Sequence, residues 1–167
     1  VSEEDGKTPA IAYYPHTRNG AVVGYQCKLI DPKKFWWLGD PNDVDLFGWE
    51  QAISSPSKTL FITEGADDAL ALYQVLKARN KPEYAQFVPA VVSITHGSTG
   101  ARRDIARQLD AIKAKWEKVV LCFDMDDPGK AAVQSVLQIL PDARAANLPS
   151  KDANQCLLDG RANALAT

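Results

Sequence analysis

The pattern of apolar and polar positions changes character near residue 57. Before it, residues 10–14 and 21–30 are short runs rich in Ile, Val, Tyr and Ala, and they predict two strands. Asn19-Gly20 lies between them, a dipeptide that favours a tight hairpin turn because both residues tolerate positive φ. A basic and aromatic segment follows, Asp31-Pro32-Lys33-Lys34-Phe35-Trp36-Trp37. Then come Gly39-Asp40-Pro41-Asn42-Asp43 and Ser54-Ser55-Pro56-Ser57, which read as a turn-rich linker. Together these signals predict a small, partly antiparallel, β-rich subdomain over residues 1–57.

From Lys58 the period alternates between strand and helix. Residues 59–63 form a short β-type run. Leu70, Tyr73 and Leu76 set a helical spacing over 66–79, and residues 91–95 predict a second strand. Ile105, Leu109, Ile112 and Trp116 share one face of a helix expected over 103–116. Residues 119–123 are nearly all apolar, as a strand covered on both faces should be. A helix over 128–140 opens with Pro128, a residue suited to a first turn, and 143–148 is a further strand. Strands alternating with helices imply an α/β domain over 58–167, a Rossmann-like parallel sheet with flanking helices.

Composition narrows the class. Hydrophobic residues at 46% and charged residues at 24% are ordinary for a globular chain. No apolar run approaches the ~20 residues of a membrane span, so no membrane role is expected. Nineteen Lys+Arg against 21 Asp+Glu give a formal charge of −2, so nucleic acid would have to be held by a local patch. Cys27, Cys122 and Cys156 are odd in number, widely spaced and lack a Cys-x-x-Cys pair; a reducing, cytoplasmic compartment is expected, without a disulfide framework or zinc site. The chain opens at Val1 without Met and shows no signal peptide, as expected for a fragment of something longer. Gly6-Lys7-Thr8 resembles the end of a P-loop but has no glycine run upstream, so no NTPase motor is expected here. With His16 and His96 the only histidines, a serine triad around Gly97-Ser98-Thr99-Gly100 is not expected either.

The chemistry concentrates in two acidic constellations. Glu64-Gly65 directly follows one strand, and Asp124-Met125-Asp126-Asp127 follows another about sixty positions later. Open α/β sheets bind ligands beyond the carboxyl ends of their strands, so both clusters should emerge on the same edge. Asp124 and Asp126, two apart in an extended segment, point the same way. Glu64, Asp124 and Asp126 would then crowd carboxylate oxygens into one small volume, which calls for cations. Hard oxygen donors suit Mg²⁺ or Mn²⁺, usually shared with phosphates. The plainer alternative is helix capping, with Asp126 or Asp127 as N-cap ahead of Pro128 and with Asp67 and Asp68 favouring a helix start.

The residues themselves resemble a known family. Thr63-Glu64-Gly65-Ala66-Asp67-Asp68 is similar to the Glu-Gly-x-x-Asp motif of the TOPRIM domain. Phe123-Asp124-Met125-Asp126-Asp127-Pro128-Gly129-Lys130 is similar to its Asp-x-Asp motif as found in primases. Ser93-Ile94-Thr95-His96-Gly97-Ser98 resembles the His-Gly turn of phage primase-helicases. Leu148-Pro149-Ser150-Lys151-Asp152-Ala153-Asn154 resembles their Leu-Pro-x-Lys-Asp-Ala-Asn segment, and Asp45-Leu46-Phe47-Gly48 their Leu-Phe-Gly segment. Nearly the whole chain is covered, in order. The family is that of TOPRIM-type primase domains of bifunctional phage primase-helicases of the T-seven kind, with the mitochondrial helicase Twinkle a more distant likeness.

That resemblance implies a TOPRIM fold preceded by the small β-rich subdomain. It implies Glu64, Asp124 and Asp126 as catalytic, metal-binding acids, with Asp68 and Asp152 supporting the metal. It also implies a basic strand pair for nucleotide and DNA: Lys28, Lys33 and Lys34, with Gln26 standing where relatives carry a lysine. His96, Arg102, Arg103, Lys130 and Lys151 are further nucleotide or DNA contacts on the same ground. The implied activity is that of the RNA-polymerase portion of a DNA primase. It would make short RNA primers on single-stranded DNA from ribonucleoside triphosphates with Mg²⁺ or Mn²⁺, in phage or bacterial replication machinery. A replicative helicase and a zinc-binding module, tethered or associated, are the implied partners. Two other readings stay open: a TOPRIM nuclease or topoisomerase that cleaves strands with the same acids, and a non-catalytic DNA-binding scaffold. Trp36 and Trp37 beside Lys33 and Lys34 stack a base on one reading and anchor the small subdomain on the other. His96 likewise serves either the substrate or its own turn.

Overall fold

The computed structural model describes residues 6, 10–84 and 86–162; Lys7 and Thr8 of the P-loop-like tripeptide lie outside the described residues. The chain divides into two compact units, Val1–Phe47 and Gly48–Thr167.

In the first unit, β1 (Ile11–Arg18), β2 (Ala21–Leu29) and β3 (Lys34–Gly39) form an antiparallel sheet in the order β1-β2-β3. Asn19 and Gly20 both take positive φ, 51° and 79°, the requirement of a type I′ hairpin turn. β1 runs on through Pro15, beyond its expected end at Tyr14. An edge strand tolerates proline because its outward N–H is not needed by a ladder. β3 arises where the sequence showed only a basic and aromatic segment. Register places Ala12, Lys28 and Phe35 in one row and, two rows along on the same face, Tyr14, Gln26 and Trp37. The chain after β3 folds back along β1. Arg18 bonds Asp40 at 2.7 Å and the Asn42 carbonyl, and the Thr17 hydroxyl donates to Asp45 at 3.0 Å. Phe47 thereby packs edge-on to Tyr14 and against His16, which also faces Trp37.

In the second unit, β4 (Thr59–Thr63), β5 (Ala90–Ser93), β6 (Lys118–Cys122) and β7 (Arg144–Ala145) form a parallel sheet in the order β5-β4-β6-β7. The helices are α1 (Trp49–Ser54), α2 (Ala66–Ala78), α3 (Gly97–Arg107), α4 (Leu109–Lys115), α5 (Asp127–Leu137) and α6 (Ala153–Leu158). The chain steps one way from β4 to β5 and the opposite way from β5 to β6. Right-handed crossovers therefore set α2 and α3 on opposite faces, and α2 indeed packs with α6 while α3 packs with α5. Leu60, Ile62, Val92 and Leu121 fill the covered strands. The α/β expectation holds, with additions: α1 and α6 arise where the sequence pattern predicts no element, and one expected helix is two, broken at Gln108. Residues 48–57 group with this unit rather than with the small one, because Gln51 and Ser55 bond the carbonyls of Pro89 and Val88 ahead of β5. The three cysteines are unpaired and buried in three separate elements, β2, β6 and α6.

Candidate metal and nucleotide site

The parallel register brings Thr63 level with Ser93 of β5 and Cys122 of β6, so the loops after these strands open on one edge. The reversal of direction at β4 makes that edge a topological switch point, where open α/β sheets bind ligands. Glu64 leaves β4 there. Thr63, fully buried, fixes the exit by donating its hydroxyl towards the carbonyls of Gly65 and Val92.

Asp124, Met125 and Asp126 leave β6 beside it. Asp126 Oδ1 accepts the Gly129 N–H at 3.0 Å and caps α5, with Pro128 in the first turn. Gly129 is required: a Cβ there would stand 2.2 Å from the Asp124 carbonyl oxygen. The capping and functional readings of Asp126 are compatible, because its other oxygen, Oδ2, lies 3.6 Å from Lys151 Nζ. The same ammonium is 3.5 Å from Asp124 Oδ2. Lys151 is held in place by its backbone, whose carbonyl accepts the Met125 N–H at 2.8 Å.

Asp68 and Asp152 tie α6 to this edge. Asp68 Oδ1 accepts the Asn154 N–H at 2.9 Å, and Asp152 caps α6 by accepting the Gln155 N–H at 2.6 Å. Burial, followed by the charges of Asp152 and Asp124, pushes the Asp68 carboxyl up to about 7. Burial also raises Glu64, with Asp124 adding to it and hydrogen bonds from the Asp124 backbone and Ser98 opposing it. Asp124 is raised by burial and by Asp152, and Lys151 partly offsets this. The thiol of Cys122, buried nearby, is driven up to about 12 by burial and then by Asp68.

His96 belongs to a second, neighbouring device. Asp104 of α3, buried, accepts the backbone N–H groups of Thr95 and His96 at 2.9 Å each through Oδ2. Its Oδ1 faces His96 Nδ1 at 2.8 Å, which makes that nitrogen the donor. His96 Nδ1 is thus engaged within its own turn, and Asp104 is a residue the sequence reading missed. Arg103 lies 3.6 Å from the same carboxylate; Arg102 reaches Gln138, the C-cap of α5, at 2.8 Å; Lys130 stands 3.9 Å from Asp127. Lys28, Lys33 and Lys34 are in the other unit, on and beside β2 and β3, with Lys33 over the Phe35 ring at 5.5 Å.

A divalent ion fits this donor set. Glu64 Oε2 is shut off from solvent and accepts no hydrogen bond, an orphaned oxygen that a cation would satisfy. The surrounding oxygens are hard carboxylate donors of the kind Mg²⁺ and Mn²⁺ take. Among the described residues no three acid, imidazole or thiol groups already stand together as a ready-made cage. The cation that stands between Asp124 and Asp126 is Lys151.

Comparison with known proteins agrees with the fold. The chain is 30% identical over 167 residues to the DNA helicase/primase of Enterobacteria phage T3, covering 99% of this chain and 27% of that protein. It therefore spans about a quarter of that relative's length. The primase fragment of the bacteriophage T7 primase-helicase superposes with a TM-score of 0.76 at 30% identity, over 90% of this chain and 59% of the fragment. The Aquifex aeolicus primase, in its zinc-binding and RNA polymerase domains, shares the fold at a TM-score of 0.68 and 19% identity, over 93% of this chain and 38% of that one. Among the described residues, no helix is long and apolar enough to cross a membrane. Residues 61–157, from β4 through most of α6, match the Toprim-like family, and the chain belongs to it.

Proposed function

We propose that this chain is the RNA-polymerase portion of a DNA primase, joining ribonucleoside triphosphates into short RNA primers on single-stranded DNA with Mg²⁺ or Mn²⁺. The observation that carries the reading is that Glu64 and the Asp124/Asp126 pair leave neighbouring strands at the switch point of the parallel sheet, with a buried Glu64 oxygen that accepts no hydrogen bond. The T3 and T7 relatives named above, a helicase/primase and a primase-helicase fragment, support it.

Glu64, Asp124 and Asp126 would hold the ion, and Asp68 and Asp152 would keep their loops in place. Held there, a divalent ion would supply Lewis-acid chemistry, activating a 3′ hydroxyl and stabilising the leaving pyrophosphate. Lys28, Lys33 and Lys34 grip triphosphate or template as point charges, with Arg102, Arg103, Lys130 and Lys151 as further basic contacts. His96 keeps the turn in which it sits. A net charge of −2 makes intrinsic DNA affinity low. Tethering to a helicase and a zinc-binding module would raise the effective concentration of template. In a solved T7 assembly a lagging-strand DNA polymerase interacts with primase domains of two subunits bound to an RNA/DNA hybrid, which supports a nucleic-acid partner here.

The products decide between synthesis and cleavage. With single-stranded template, ribonucleotides and Mn²⁺, the chain should extend a supplied oligoribonucleotide slowly, with little sequence choice, and release pyrophosphate. Asp124→Ala and Glu64→Gln variants that stay folded should lose extension. Metal-dependent shortening of the template with no extension at any nucleotide concentration would replace this reading with a nuclease.

A further inference from the structure

Lys151 is the feature of the acidic edge that a metal-binding role alone does not explain. Its backbone is anchored twice over: its own carbonyl takes the Met125 N–H, and Leu148, at the start of the same segment, directs its N–H at Met125 Sδ at 3.4 Å. The anchor residue, Met125, is the one between the two acids. The Lys151 side chain is 60% exposed, yet its ammonium is at 3.5 and 3.6 Å from one oxygen of each aspartate. A lysine reaching outward into water has many rotamers that avoid this position. Its choice of the point equidistant from Asp124 Oδ2 and Asp126 Oδ2 reflects the local excess of negative charge, to which Asp152 also contributes.

Two cations cannot share that point. We infer that Lys151 is a resident counter-cation of the acid cluster, which a divalent ion must displace from between Asp124 and Asp126 in order to bind. The inference rests on the reading of these acids as metal ligands. It also accounts for the lack of a ready-made cage among the described residues: the two carboxylates are spaced around an ammonium. The stem of lysine is flexible and its charge makes no geometric demand, so the displaced ammonium is available to a nearby phosphate. Lys151 would thus hold the cluster together without metal and keep metal affinity low until substrate arrives.

Mn²⁺ binding to the whole chain, followed by the electron paramagnetic resonance of the free ion, tests this. Lys151→Met should bind Mn²⁺ about tenfold or more tightly than the wild type at low salt, the scale of removing one adjacent charge. Lys151→Arg, which keeps a cation there, should stay close to the wild type. Lys130→Met removes an equal charge from α5 and should change affinity much less. Equal or weaker binding by Lys151→Met, or an equal gain in Lys130→Met, overturns the inference and leaves the metal reading standing. No Mn²⁺ binding by either wild type or Lys151→Met, indistinguishable from an Asp124→Asn/Asp126→Asn control, overturns the metal reading and the inference with it. In the wild type itself, the side-chain ¹⁵N signal of Lys151 should move on adding Mg²⁺; a signal that stays put while Mg²⁺ binds also overturns the displacement.

Discussion

In the parallel sheet Leu60, Ile62, Val92 and Leu121 are fully shielded from solvent, whereas in the three-stranded sheet Tyr13, Tyr25, Phe35 and Leu38 each keep two-fifths or more of their surface exposed. The first sheet is covered on both faces by helices. The second buries Tyr14 and His16 on one face and Cys27 on the other, with Val44 and Leu46 shielded in the segment that follows it. The proposed division of labour follows this contrast. Carboxylates that hold a small ion must stay within a fraction of an ångström, and they stand on the densely packed unit. Lysines that grip phosphates need reach and charge rather than fixed placement, and three of them stand on the lightly packed one.

Matched truncations should expose the contrast most strongly. Leu121→Ala is expected to cost about 2–5 kcal/mol, the range for a fully buried leucine. Leu38→Ala in β3, 48% exposed, should cost less than about 1 kcal/mol. Denaturant melts followed by circular dichroism measure both, and similar costs would break the comparison.

Acidity should act on the packed unit next most strongly. Asp68, Glu64 and Asp124 all bind their protons more tightly in the folded chain than their ordinary carboxyl values allow. The folded state therefore gains at low pH and loses that gain as pH rises from about 4, the unfolded carboxyl value, through about 7, where Asp68 titrates when folded. Metal-free stability should drop by on the order of 1–3 kcal/mol between about pH 5 and pH 7.5, and Mn²⁺ should restore much of it at the upper end. A metal-free melting temperature that rises across this interval would contradict the assignment of these carboxyls.

The smallest effect on stability is expected in the lightly packed unit. Replacing Lys33 and Lys34 together by Ala should shift stability by no more than about 0.5 kcal/mol, since both are exposed. Template and nucleotide binding should weaken, and the salt dependence of DNA binding should flatten by about one to two phosphate contacts. A variant that melts early yet binds normally would make the segment structural.

Legibility in the sequence followed the same contrast. β4, β5 and β6 were visible as apolar runs because both their faces are buried, and the acids stood out because each follows such a run. Three elements were hidden for physical reasons. α1 and α6 have six residues each, too few for a 3.6-residue period to register, and α1 is flanked by Gly48 and Ser-Ser-Pro, which read as turn. β3 carries Lys-Phe-Trp-Trp without polar alternation, since neither face of this sheet is fully covered. The apolar spacing predicts α3 only from Arg103, whereas it starts at Gly97, because two glycines in a first turn carry no helical periodicity; Gly100 is there because a Cβ would stand 2.7 Å from His96 Cβ. Asp104 stands among Arg102, Arg103 and Arg107 in the sequence, a setting that does not single it out. Its role in holding the Thr95-His96 turn comes from a contact eight and nine positions back, which local pattern does not encode.

The central claim is that the acids at the switch point of the parallel sheet hold the catalytic ion. Anomalous scattering from a crystal of the chain grown with Mn²⁺ locates that ion directly. The account predicts a peak within about 2.0–2.6 Å of carboxylate oxygens of Asp124 and Asp126, with Glu64 in the same coordination shell, and Lys151 Nζ moved away from both aspartates. A peak bound elsewhere on the chain, with Glu64, Asp124 and Asp126 unchanged at saturating Mn²⁺, would contradict it.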